Sequence, residues 1–153
     1  AGVEVDVLEF NGRENTWHYL WAFPRYWRAL LRHRYDVVHA HYVLAGIVAR
    51  AQWGRPLVLT HHGPEVLGQP RWQGPLCRMI TPLCAEVIHV SEEVRQKLRD
   101  TDGWVIPCGV DLDDFTITPR DEARTILGLP AERRLVLFAG DYQRPEKRFD
   151  LVQ

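Results

Sequence analysis

Four of the seven histidines stand in two pairs, His39-x-His41 and His61-His62, the second followed by Gly63 and Glu65. An imidazole near neutral pH can donate a hydrogen bond, carry a proton or hold a metal ion. Farther along, Ser91 follows one apolar run, Cys108-Gly109 another, and Asp141, Arg144 and Lys147 come after Phe138-Ala139-Gly140. Fixed cations such as Arg144 and Lys147 suit a phosphate group. The bland alternatives are a histidine that caps a strand end and a basic loop that is merely solvated. Asp111, Asp113 and Asp114 have a spacing that can hold Mg²⁺, but acids in an exposed linker are ordinarily solvated, and no metal is assigned to them.

These residues share a position: each ends an apolar run. Alternation or continuous apolar character predicts strands over 3–7, 36–41, 56–61, 86–90, 103–106 and 135–140. Helical spacing predicts 16–34, with a break at Pro24, then 43–53, a short helix at 78–84, and one running from Ser91 to about Asp100. Ser91 has the chemistry of an N-cap, with Glu92 and Glu93 in the first turn. Residues 64–75, with three prolines and two glycines, read as loop. A last helix starts with Thr118 at its cap and Pro119 at its first position, and Gly128 stops it. Strands alternating with helices give an α/β class: a doubly wound, Rossmann-like parallel sheet covered on both faces. Ligands of such sheets bind beyond the carboxyl ends of the strands, where the residues above fall. His39 is expected to turn into the packing of the sheet.

Composition narrows the classes. The chain has 153 residues, 46% apolar and 25% charged, which suits a folded domain and excludes a disordered one. The net charge of −1 gives no global attraction to a polyanion, and nucleic acid is not an expected partner. The balance is uneven, however: residues 15–80 carry eight arginines and two acids, while 79–153 carry fourteen acids and ten basic residues. No run of apolar residues is long enough to span a bilayer. The N-terminus lacks both the basic region of a signal peptide and an initiator Met, so the chain is expected to be part of a longer protein. Three cysteines without a CxxC point to a reducing compartment, and Cys108 is expected to pack as a small residue.

Five motifs in order carry a resemblance: Asp36-Val37-Val38-His39-Ala40-His41; Leu59-Thr60-His61-His62-Gly63-Pro64-Glu65; Val87-Ile88-His89-Val90-Ser91; Val105-Ile106-Pro107-Cys108-Gly109-Val110-Asp111; and Phe138-Ala139-Gly140 through Leu151. Together they resemble the retaining glycosyltransferases of family 4, enzymes of GT-B fold with two Rossmann-like domains across a cleft. The resemblance implies that residues 1–115 are a partial acceptor-side domain and 116–153 the start of the nucleotide-sugar-binding domain. It implies transfer of a sugar from a nucleotide diphosphate to an acceptor hydroxyl with retention, with no cofactor beyond that donor. A glycan or a lipid-linked acceptor, polysaccharide biosynthesis and a cytoplasmic location would follow. His62 and Glu65 would face the sugar, Gly63 would admit it closely, and Gly140, Arg144 and Lys147 would hold the donor. Three departures stand out: Glu65 for the usual Asp, Cys108 for Asn, and Asp141 where an Arg is expected. The family's first strand and its C-terminal acidic motif fall outside these residues, so the chain alone is expected to show no turnover.

Two other readings use the same residues. The histidine pairs with Glu65 would build a zinc-dependent hydrolase if they converged. The departures at Cys108 and Asp141 would suit a non-catalytic sugar- or partner-binding module. Separately, residues 17–34 combine Trp17, Trp21, Trp27, Tyr19 and Tyr26 with Arg25, Arg28, Arg32 and Arg34 and no acid. That composition suits the headgroup layer of an anionic membrane at the inner face of the cell, and equally an amphipathic helix whose aromatics pack on the sheet.

Overall fold

The computed structural model describes residues 2–10, 17–68, 72–143 and 147–152. The chain forms two compact units, 1–108 and 109–153.

In the first unit, four strands, β1 (Val38–His41), β2 (Leu57–His61), β3 (Glu86–His89) and β4 (Trp104–Val105), make one parallel sheet in the order β1-β2-β3-β4. Between them run α2 (Val43–Ala49), α3 (Gly63–Leu67), α4 (Gln73–Ile80), a 3₁₀ turn (Thr81–Leu83) and α5 (Glu92–Leu98); α1 (Trp17–Arg32) precedes them all. This is the expected α/β class of parallel, Rossmann-like sheet.

The strand order never reverses, and parallel crossovers are right-handed, so every connection returns over the same face. The helices accordingly touch one another as one layer. Leu57, Leu59, His61 and His89 are sealed beneath that layer. Among the described residues the helices lie over this one face: His39 and His41, on the other face, are exposed, and His39 does not turn into the packing. Gly46 fits here because a Cβ would stand 2.9 Å from Leu59 Cδ1, so α2 can lie close on β2.

Prolines mark the chief departures from the expected elements. Residues 64–75 are not simply loop: Pro64 and Pro75 sit in the first turns of α3 and α4, where a missing N–H costs nothing. Pro24 does not break α1: the helix runs on from Trp17 to Arg32, with Pro24 on its exposed side. Ser91 caps α5 as expected, its Oγ accepting from Val94 N at 3.3 Å.

The second unit holds α6 (Arg120–Ile126) and a 3₁₀ turn, Phe149–Leu151. Gly128 ends α6 at φ +63°. Neither 3–7 nor 135–140 is a strand, although both carry the pattern of one. A strand persists through a hydrogen-bonded neighbour, and no described segment pairs with either.

Candidate functional site

Parallel register aligns the carboxyl ends of the strands: His41 lies beside Thr60, and His61 beside His89. Because successive strand residues face opposite ways, His61 and His62 part company at the end of β2. His61 goes under the helices. His62, half-buried, turns to the open side, where its Nε2 is 3.0 Å from His41 Nδ1 and its ring stacks on Tyr42 with centroids 4.4 Å apart. The His39 ring lies 4.5 Å from that of His41, with its Nε2 2.8 Å from Thr60 Oγ1. Three imidazoles and a phenol ring thus line the ends of β1 and β2. Partial burial, then the neighbouring imidazoles, lower the pKa values of His39 and His62, so both rings favour the neutral form.

Tyr42 gets there by way of an unusual backbone, φ 69° and ψ 151°, a region that side chains other than glycine rarely adopt. Its N–H bonds Thr60 O at 3.1 Å, and its carbonyl accepts Gly46 N at 3.0 Å, which pins the turn from β1 into α2. Tyr42 belongs to none of the motifs in the sequence. The strand-end rule alone would have picked it, as the residue directly after His41.

Glu65 is not at the open surface. Its carboxylate is buried and accepts from Val43 N, from His62 N at 2.9 Å and from His61 Nδ1 at 3.1 Å. On its other side the His61 Nε2 lies 3.0 Å from Thr81 Oγ1, whose hydroxyl donates to Cys77 O at 2.8 Å. Val43 and Gly63 begin α2 and α3, so one negative charge lies at two helix N-termini, where it is electrostatically welcome. The expectation that Glu65 faces the sugar is therefore corrected: it holds His62 in place from behind. Beside Gly63 a Cβ would find only Leu67 Cδ1, at 4.0 Å, so the backbone there is open to approach.

The metal reading loses its geometry. His61 points away from His62, His39 is engaged with Thr60, and Glu65 is used up by N–H donors. One buried group, His61, Glu65 and Cys77, does bring ligand atoms within 4.8 Å of one another. Burial pushes the Cys77 thiol up to about 12, which keeps it protonated, and Glu65 already accepts from three N–H groups. That donor set does not suit a cation. Cys108, expected to pack, is exposed, and Asp111 Oδ1 accepts Asp113 N at 2.9 Å in a local turn.

In the second unit, Gly140 and Lys147 come together: the Lys147 Cδ is 3.7 Å from where a Cβ on Gly140 would stand. Lys147 is exposed, and Phe138 packs on Phe149 with centroids 4.9 Å apart beneath this turn. Asp141 Oδ1 accepts Gln143 N at 3.0 Å. Arg144 lies outside the described residues.

The family model described as Glycosyltransferase Family 4 matches residues 1–114. The chain belongs to glycosyltransferase family 4. Among curated relatives, the D-inositol 3-phosphate glycosyltransferase of Nocardiopsis dassonvillei is 36% identical over 129 residues, covering 72% of this chain and 30% of that protein. Proteins of the same name from Mycobacterium bovis and Mycobacterium tuberculosis are each 35% identical over 144 residues, covering 77% of this chain and 28% of their own length. The chain thus spans under a third of the length of these curated relatives. No helix among the described residues is long and apolar enough to cross a membrane.

Proposed function

We propose that this chain is part of a glycosyltransferase that moves a sugar from a nucleotide diphosphate to an acceptor hydroxyl with retention at the anomeric carbon. The names of the relatives support an acceptor of the phosphorylated cyclitol class. In the reaction the bond from anomeric carbon to phosphate oxygen breaks and the bond to the acceptor oxygen forms. The acceptor's proton passes to the leaving phosphate, so no protein base is needed.

The observation that carries this reading is the His62 ring, held at the open end of β2 by Glu65 from behind, with Tyr42 and His41 against it. A neutral imidazole fixed in that way donates a hydrogen bond to the donor sugar as positive character develops at its reacting carbon. It does so without bringing a like charge of its own. The open space at Gly63 lets the sugar come close to the backbone. Glu65 acts as a positioning residue. Lys147 beside Gly140, with Arg144, would compensate the charge of the departing diphosphate. A cytoplasmic location goes with this reading, as does the absence of turnover by the 153 residues alone.

The test is the full-length protein with a panel of nucleotide sugars and inositol phosphate, the product's anomeric configuration being read by NMR. His62→Ala should lower kcat by about 10²–10³ with the fold intact, the loss typical of one oriented donor. An inverted product, or a His62→Ala enzyme as fast as the parent, would overturn the assignment.

A further inference from the structure

His61 is fully buried, and the hydrogens around its ring fix its charge. A hydroxyl has one hydrogen to give. That of Thr81 goes to Cys77 O at 2.8 Å, so its oxygen offers only lone pairs to His61 Nε2, 3.0 Å away. The hydrogen in that contact comes from the ring. On the other side, His61 Nδ1 is 3.1 Å from Glu65 Oε1. Glu65 takes Val43 N on Oε2 and His62 N on Oε1, at the starts of two helices. Those donors favour the ionised carboxylate, which has no hydrogen to give. The hydrogen between Nδ1 and Oε1 therefore also belongs to the ring. A ring with hydrogens on both nitrogens is an imidazolium.

The surroundings suit a cation at this place. Glu65, from α3, supplies the opposite charge that a buried ion requires. Cys77, from α4, is a protonated thiol. His89, from β3, lies face to face with His61, the ring centroids 5.6 Å apart and the planes 11° apart. Its Nε2 donates to Asp100 Oδ2 at 2.7 Å, while its Nδ1 is buried without a hydrogen-bond partner among the described residues. A second hydrogen there would be a buried donor with nothing to accept it. The His89 ring is therefore neutral and does not repel its neighbour.

We propose that His61 is a positioning residue that works as an imidazolium, keeping Glu65 ionised in its hold on the His62 backbone and His62 itself neutral. The inference deepens the proposed transfer reaction and rests on its reading of His62 as the residue that faces the sugar. Burial and then His41 lower the pKa of His62, Glu65 raises it, and His61 lowers it again. Tyr42, stacked on the same ring, completes the titratable groups described around it. Without a cation at position 61, the carboxylate would draw a proton onto His62 and bring a like charge to the reacting carbon.

The experiment is NMR of the full-length protein with isotope-labelled histidine, beside steady-state kinetics of two variants. The His61 ring is assigned through its contact with Thr81, so the parent spectrum decides the charge even where a variant fails to fold. Both ring nitrogens should carry a bonded hydrogen in the parent. In Glu65→Gln only Nε2 should, because the amide now supplies the hydrogen to Nδ1. His61→Gln should lower kcat by about 10- to 100-fold with KM little changed, the loss expected of a displaced group that acts in the transition state. It should also move the acid limb of kcat to higher pH, which a purely structural role would not do. Removing both charges, in His61→Gln/Glu65→Gln, should return that limb to its parental position. A single bonded hydrogen on His61 in the parent, or a kcat and acid limb unchanged in His61→Gln, would overturn the proposal. The two readings fail separately: a fast His62→Ala enzyme ends the one for the sugar, and a singly protonated His61 ends this one.

Discussion

Leu57-Val58-Leu59 and Leu135-Val136-Leu137 are the same three residue types in the same order, and they meet opposite fates. The first is the heart of β2, with Leu59 at 0% exposure between two neighbouring strands and under α2. The second is not a strand, and Leu137 is 88% exposed. An apolar tripeptide does not make a strand by itself. It must be given ladder partners on its edges and a layer over its face, and the first unit supplies both to β2. Three strands with a covered face are about the minimum that holds together in water, and the second unit has no described strand.

Substitutions made in pairs sharpen this contrast. Glu65→Ala should have the largest effect. It leaves Val43 N, His62 N and His61 Nδ1 without an acceptor inside the fold, at a cost of about 3–5 kcal/mol in chemical denaturation. Its counterpart, Asp150→Ala, removes the exposed ion pair with Arg148 and should leave the unfolding curve where it was. Next, Leu59→Ala should cost about 3 kcal/mol through lost burial and a cavity, against under about 0.5 kcal/mol for Leu137→Ala. Equal losses at the two leucines would break the comparison. The smallest effect is that of acid. The pKa values of His39 and His62 lie below the ordinary 6.5 in the folded chain, so between those values and 6.5 the unfolded chain binds more protons. Stability is then full above pH 6.5 and declines as pH falls through the folded values. Asp100, which burial pushes up but which its bond to His89 and the backbone N–H groups together hold low, adds a further loss below 3.8. The second unit has no histidine, so melting followed there should not move over the mildly acidic range.

The same contrast explains what the sequence could disclose. Ser91 and β2 were legible because a cap and a buried parallel strand are local patterns that the tertiary fold reinforces. The strand-end histidines were legible because parallel sheets put chemistry at that edge. Glu65 faces inward against the sequence's indication, because spacing places it near His62 but says nothing of two backbone N–H groups arriving from α2 and from its own helix start. Tyr42 escaped because nothing in a Tyr announces a positive φ. The prolines of 64–75 misled because the residue that ends helices also begins them.

Glu65 has a last consequence, for motion. One carboxylate accepts the amide of Val43 on Oε2 and that of His62 on Oε1, so the starts of α2 and α3 are tethered to the same side chain. A molecule that tugs on the imidazole at 62 is then felt at the root of α2, on the far side of the clasp.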